Sequence, residues 1–403
     1  MVLKHCGFLS FLIGAVSWNL VGMVAQCQDV EWLAKVTTLP SSYALDRPGT
    51  LAPLLVASDE FDPSNIEVHR KTISGWTPWL VQRELLREKW FEFLGPMPDP
   101  RPPVKLEVLS TETLLVARAE SGNTPSADAP SQAITRQLVS YECEPGLWVE
   151  GYLLFPASAP QSISAFPAIV ALHPTTNASI DEIAGVSGSE SAKTGLKLAL
   201  RGYVVFCPRC FLWQNATSLD DAVSQHRKRH PNTKGMAKML YDAMRSVDVL
   251  ETLPYVDRKR IGAIGHSLGA KEVLYLMAFD DRVRAGVASE GGIAFRSTNW
   301  NAPWYLSTAI DDEAFPLNHH QLLGMIAPRP FLVLGGESGP GAADGDRSWT
   351  LIEAALPVWR LSGKPIRLGL LNHHEGHKLS DASFEKMDEW MRCYLASEKP
   401  NPH

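Results

Sequence analysis

The sequence predicts an α/β fold, with a mostly parallel central sheet covered by helices on both faces. Two patterns predict it. From residue 166 onward, short and almost continuously apolar runs such as "FPAIVAL", "YVVFC" and "RPFLVLG" alternate with longer stretches of helical periodicity. Strands that are apolar at nearly every position are buried on both faces, which is the condition of a parallel sheet under two helical layers. No internal repeat of fixed period accompanies the alternation.

Each element has its own signal. "PWLVQRELLREKWFEFL" has apolar positions at helical spacing and stops at Gly95, ahead of the proline-rich connector "GPMPDPRPP". "VKLEVLSTETLLVARAE" is strand-like, and "SGNTPSADAPSQ" is a polar loop without core-forming residues. "AITRQLVSYECEPGLWVEGYLLFPAS" alternates like a hairpin, with Glu-Pro-Gly at its turn. Then come the strand "FPAIVALHPTT", the helix "AKTGLKLALRG", the strand "YVVFCPRC" and the amphipathic helix "GMAKMLYDAMRSVDVLETL". The strand "RIGAIGH", the helix "LGAKEVLYLMAF" and the strand "VRAGVASEGG" continue the series. "RPFLVLGGE", the helix "TLIEAALPVWRLSG", the strand "PIRLGLLNH" and the helix "DASFEKMDEWMRCYL" end it. Thr350 and Glu353 have capping-box spacing, which predicts a helix start near Leu351.

The N-terminus has the pattern of an export signal. Lys4 and His5 precede the apolar run "CGFLSFLIGAV", and Ala25 is a small residue at a suitable cleavage point. Ser17, Trp18 and Asn19 interrupt the run before it reaches the ~20 residues that a membrane span needs. The expected organisation is a signal peptide over residues 1–26, an N-terminal extension of mixed helix and strand over 27–132, and a catalytic domain over 133–398. A secreted or periplasmic location follows, with no stable membrane insertion once the signal is cleaved.

Composition narrows the function. Apolar residues make up 45% of the 403 and charged residues 20%, an ordinary globular balance. The net charge of −6, without long runs of one sign, gives nucleic acid no footing. Twelve tryptophans suit a carbohydrate-acting protein, and equally a packed core. Of six cysteines, Cys6 leaves with the signal; Cys27, Cys143, Cys207, Cys210 and Cys393 remain, an odd number. "CPRC" has metal or redox spacing, but no second pair follows, so a structural role or a disulfide is expected there and no metal site.

The chemistry centres on Gly265-His266-Ser267-Leu268-Gly269, a Gly-x-Ser-x-Gly match at a strand-to-helix junction. That junction puts a serine hydroxyl on a sharp, strained turn, and flanking glycines remove the Cβ atoms that would strike neighbouring backbone. The helix that follows aims its N-terminal N–H groups at a developing oxyanion. Ser267 is the candidate nucleophile, and the Leu268 N–H is a candidate oxyanion donor.

With this motif in this setting, the chain resembles the α/β-hydrolase superfamily. Within it the chain is most similar to secreted esterases related to dienelactone hydrolases, acetyl xylan esterases and glucuronoyl esterases. The resemblance covers about Ala133 to Leu395. It implies a base after the last strand, where "LLNHHEGHKLS" offers His373, His374 and His377. Gly376-His377, just before the last helix, makes His377 the expected base and leaves His373 and His374 as supporting or surface residues. The acid is expected after the penultimate strand, with Asp346 first and Asp344 next. Glu290, in "SEGGIAFRSTNW", is the rival, because that stretch resembles the Glu-then-glycines segment of glucuronoyl esterases. Thr175, in the loop "ALHPTTNAS", is the expected second oxyanion donor, since Pro174 has no N–H to give. Trp300 and Trp304 offer a platform for a sugar ring or an acyl group, or simple packing. His319 and His320 are expected to start a helix.

The resemblance implies a serine carboxylic ester hydrolase working through an acyl-enzyme, without cofactor or metal, on acetyl or glucuronoyl esters of polysaccharides. A prolyl-oligopeptidase-like peptidase shares this catalytic half, but the N-terminal residues cannot supply its propeller. Dienelactone hydrolases proper usually have a cysteine nucleophile and no export signal. A catalytically degenerate fold that binds carbohydrate is the alternative from another class.

Overall fold

The computed structural model describes residues 30, 32, 51–55, 75–117 and 131–396. The export-signal segment 1–26 and Cys27 lie outside the described residues, as does most of the polar loop before Ser131. Among the described residues nine strands form one sheet: β1 (Leu106–Ala117), β2 (Ser131–Glu144), β3 (Leu147–Pro156), β4 (Phe166–Leu172), β5 (Val204–Pro208), β6 (Val256–His266), β7 (Val283–Ser289), β8 (Phe331–Gly335) and β9 (Leu368–Asn372). Their order across the sheet is β1-β2-β3-β5-β4-β6-β7-β8-β9. β1, β2, β3 and β5 pair antiparallel in turn, and every pairing from β5 through β9 is parallel. The strand of the N-terminal extension, β1, is thus the edge strand of the same sheet.

The longer helices among the described residues are α1 (Trp76–Leu94), α2 (Thr194–Leu200), α3 (Leu219–Arg229), α4 (Gly235–Thr252), α5 (Leu268–Phe279), α6 (His319–Ile326), α7 (Trp349–Leu361) and α8 (Asp381–Tyr394). Strand side chains alternate between two cores. Ala168, Val170 and Leu172 of β4 enter the larger one, with α1, α4, α5, α6 and α7. Ile169 and Ala171 enter the smaller one, under α2 and α8. Every residue of α5 is buried, so this helix is enclosed on all sides. The extension joins the larger core through Trp79, Trp90 and Leu94 of α1, and Trp90 stacks on His319 with ring centroids 5.9 Å apart.

Some local expectations give way to tertiary context. α7 starts at Trp349, fed by a 3-10 turn over Asp346–Ser348, and its N-cap Ser348 makes no side-chain cap bond. The Thr350–Glu353 spacing therefore falls inside the helix. α3 has no counterpart among the predicted elements because its sequence is mostly polar, with Ala222, Val223 and His226 as its buried positions. Cys207 and Cys210 face opposite cores, and Cys143, Cys207 and Cys210 are free thiols. No described helix is long and apolar enough to cross a membrane.

Candidate active site

β6 ends at His266 and α5 begins at Leu268, which leaves Ser267 alone at the turn with φ 57° and ψ −114°. Positive φ is uncommon for a residue with a Cβ and costs on the order of 1–3 kcal/mol, so the surroundings must hold it. They do so by backbone bonds: the Ser267 N–H donates to Ser289 O at 2.8 Å, and the Ser267 carbonyl accepts from Ala270 and Lys271. The two glycines are required by contact. A Cβ on Gly269 would lie 2.1 Å from Leu172 O, and one on Gly265 would lie 2.2 Å from the Gly269 carbonyl carbon. Only chains bare at both positions bring β4, β6 and α5 this close. The Leu268 N–H is the first of the buried helix α5 and has no intrahelical acceptor to bond.

The loop after β4 carries Thr175, which is exposed. His173 fixes that loop. The Cys210 backbone N–H donates to its Nε2 at 3.1 Å, and Ser179 Oγ lies 3.2 Å from the same nitrogen. Nε2 is therefore the acceptor, and Nδ1 carries the proton toward Pro174 O at 2.8 Å. Burial pulls the His173 pKa down to about 4, which keeps this neutral form across the working range.

Glu290 follows β7 as Ser267 follows β6. It too has positive φ, 56°, and its carboxylate is buried. Oε1 accepts from the Gly336 N–H at 2.6 Å and Oε2 from the Ala343 N–H at 2.9 Å. His373 Nε2 lies 3.0 Å from Oε1, and His377 Nδ1 lies 3.9 Å from Oε2. The His377 ring also meets the ring of His266, the neighbour of Ser267, at 4.9 Å between centroids. His374 is exposed and faces Glu337 at 3.4 Å.

The two aspartates are occupied elsewhere. Asp344 is buried and accepts from the Gly292 and Ile293 N–H groups and from Ser348 Oγ at 2.8, 3.0 and 2.7 Å, anchoring the segment after Glu290. Burial raises its pKa, and those three donors oppose the rise. Asp346 accepts from the Asn372 side chain at 3.1 Å and has no histidine partner among the described residues. Of the three carboxylates, Glu290 is the one that faces His377.

The sequence offered little warning of Lys271. It lies one helical turn after Ser267, on the same face of α5, and that i,i+4 relation is the one available signal. Its ammonium donates to Gly291 O at 2.6 Å and Thr298 Oγ1 at 2.5 Å, 4.0 Å from the Trp300 ring centroid. Burial lowers its pKa to about 7. Trp300 is fully buried and donates to Gly292 O at 2.5 Å, so it packs beneath the lysine and is not an open platform. Trp304 is half-buried, and its carbonyl lies where a Cβ on Gly235 would come within 2.3 Å. His319 and His320 open α6, capped by Asn318 and Gln321 as a capping box. His319 Nδ1 meets Ile293 O at 2.7 Å, giving the segment after Glu290 a second anchor. On the other side of the turn, a cavity of about 190 Å³ is lined by Leu172, Ile183, Ile264, His266, Leu379 and Met387. No cluster of metal-ligating side chains occurs among the described residues.

Comparison with known proteins agrees with this architecture. Residues 154–326 match the dienelactone hydrolase family. A 4-O-methyl-glucuronoyl methylesterase of Phanerochaete carnosa is 27% identical over 172 residues, 34% of this chain and 40% of the relative. A 4-O-methyl-glucuronoyl methylesterase 1 of Sodiomyces alcalophilus is 26% identical over 125 residues, 25% of each chain. The matches thus span less than half the length of these relatives. A solved glucuronoyl esterase from Solibacter usitatus superposes with a TM-score of 0.64 at 17% identity, over 89% of this chain and 99% of that one. A glucuronoyl esterase from Teredinibacter turnerae gives 0.62 at 18% identity, over 85% and 89%. The likeness to these two structures is one of fold.

Proposed function

We propose that this chain, which has the α/β-hydrolase fold, is an exported serine ester hydrolase. It acts through an acyl-enzyme on carboxylic esters of polysaccharides, glucuronoyl esters ahead of acetyl esters. One observation carries the proposal. Ser267 and Glu290 each stand one residue past paired strand ends, held there by the bond from Ser267 N–H to Ser289 O, and His377 faces Glu290 beside the serine's neighbour.

Ser267 Oγ attacks the ester carbonyl carbon while His377 takes its proton, and the N–H groups of Leu268 and Thr175 hold the negative oxygen. Collapse breaks the bond to the alcohol oxygen, which leaves with the proton from His377. Water then repeats the sequence on the acyl-enzyme and releases the acid. Glu290 accepts from His377 Nδ1, fixing the tautomer and stabilising the imidazolium. The 3.9 Å separation in the free enzyme fits a bond that shortens once substrate is bound.

Preference for a glucuronoyl acyl group rests on the names of the curated relatives and on the place of Glu290 at the end of the strand after the nucleophile. The cavity beside His266 joins apolar walls at Leu172, Ile264 and Met387 to polar Glu182, Thr194 and Lys378, and it offers room for part of the ester.

A panel of methyl glucuronate, p-nitrophenyl acetate and a peptidyl-proline substrate tests the proposal with wild type and Ser267→Ala. The expected outcome is the highest kcat/KM on the uronate ester, abolished by the substitution. Higher kcat/KM on the peptide overturns it in favour of a peptidase, and hydrolysis of none in favour of a carbohydrate-binding fold.

A further inference from the structure

Beyond the triad, the ends of three strands converge on one carboxylate. The register pairs Ser289 with Leu334 and Gly335 with Asn372, so Glu290 comes level with Gly335 and Asn372, and Gly336 and His373 come level with each other one residue further out. The ladder continues past the strand ends: the Glu290 N–H donates to Leu334 O at 2.8 Å, and the His373 N–H to Gly335 O at 3.0 Å. Both backbones are therefore fixed by the sheet and not by a loop.

The tautomer of His373 follows from its partners. The Glu375 backbone N–H donates to Nδ1 at 3.1 Å, so Nδ1 holds the lone pair and Nε2 the proton. Nε2 lies 3.0 Å from Glu290 Oε1, and the side chain is 10% exposed. Nδ1 is thus engaged by backbone, while Nε2 stands beside the carboxylate. Gly336 makes the approach feasible, since a Cβ there would lie 2.7 Å from His373 Cε1 and 1.8 Å from Glu375 O.

The last torsion of a glutamate is broad and roughly twofold, so rotamer preference alone does not aim the carboxylate. Here Oε1 accepts from the Gly336 N–H and Oε2 from the Ala343 N–H, while His373 Nε2 stands 3.0 Å from Oε1 without an aligned hydrogen bond and His377 Nδ1 stands 3.9 Å from Oε2. We propose that His373 is a positioning residue: it holds Glu290 by Oε1 so that Oε2 is presented to His377. This rests on the triad proposed above. Its effect reaches the substrate only through Glu290 and His377.

The test uses the full chain and the best ester of the panel. A glutamine amide nitrogen reaches the place of Nε2, and an asparagine reaches only that of Nδ1. His373→Asn and His373→Phe are expected to lower kcat about 10- to 100-fold with KM little changed, the size of effect a small misplacement produces. His373→Gln is expected to keep most of kcat. In a Glu290→Gln background, His373→Phe is expected to add little further loss, because the two act as one unit. Retention by Asn with loss in Gln, wild-type kcat in all three variants, or additive losses in the double mutant overturns the proposal. Full activity in Ser267→Ala or His377→Ala identifies failure of the triad itself.

Discussion

The carbonyl oxygen of Leu172 stands 2.1 Å from where a Cβ on Gly269 would be. The end of β4, which leads into the Thr175 loop, therefore rests directly on the first turn of the helix after Ser267. Gly269→Ala forces these two backbones apart. The expected result is a lowered Tm, with destabilisation of about 1–3 kcal/mol or more, and loss of ester hydrolysis in the folded fraction. Thermal unfolding and kcat on one sample check it. An alanine variant with wild-type Tm and rate contradicts the contact.

Ser267→Gly separates strain from chemistry. Glycine adopts φ 57° without a Cβ clash, so the variant is expected to gain stability, by about 1 kcal/mol, while losing hydrolysis by several orders of magnitude. Denaturant unfolding of the two proteins side by side gives the answer. Equal or lower stability in the variant shows that the serine is not strained.

Glu290→Gln and Asp346→Asn distinguish the acids. Glu290→Gln is expected to reduce kcat by roughly 100-fold or more, since a neutral amide cannot stabilise the imidazolium. Asp346→Asn keeps its bond to Asn372 through the side-chain oxygen and is expected to stay near the wild-type rate. Reversal of that order moves the acid to Asp346, the residue favoured by position in sequence alone.

Lys271 gives a pH signature. Its pKa falls from 10.5 in the unfolded chain to about 7 in the fold. Between those values the unfolded state holds a proton that the native state lacks, so stability from this group rises with pH across the window. Below pH 7 the cost of burying the ammonium is fully present; above 10.5 it is gone. The stability difference between wild type and Lys271→Met is therefore expected to shift toward wild type by up to about 1 kcal/mol per pH unit from pH 7 upward. A difference independent of pH between 6 and 9 rules this out.

Much of the sheet was legible because its strands are apolar at nearly every position and its helices carry one apolar stripe. Ser267 was legible for the same local reason: a strand, a sharp turn and a helix are adjacent in sequence. The acid was not. Asp346 sits where a helix start draws attention, but its partner is set by how residues 336–345 fold back, and that fold places backbone N–H groups on Glu290 and turns Asp346 to Asn372. The extension was legible as a helix from its spacing, while its contact with α6 joins Trp90 to His319 across more than two hundred residues of chain. Lys271 looked like any helix residue until the tryptophan beneath it and the hydroxyl beside it were in place.

The backbone bonds beyond β7, β8 and β9 tie the proposed triad to alignment of the sheet's last strands. A slip by one residue in either pairing would turn the glutamate or its histidine to the opposite face. Turnover by a refolding chain therefore reports on the docking of its C-terminal third, and enzyme assays during refolding lag behind any optical signal that follows the earlier strands.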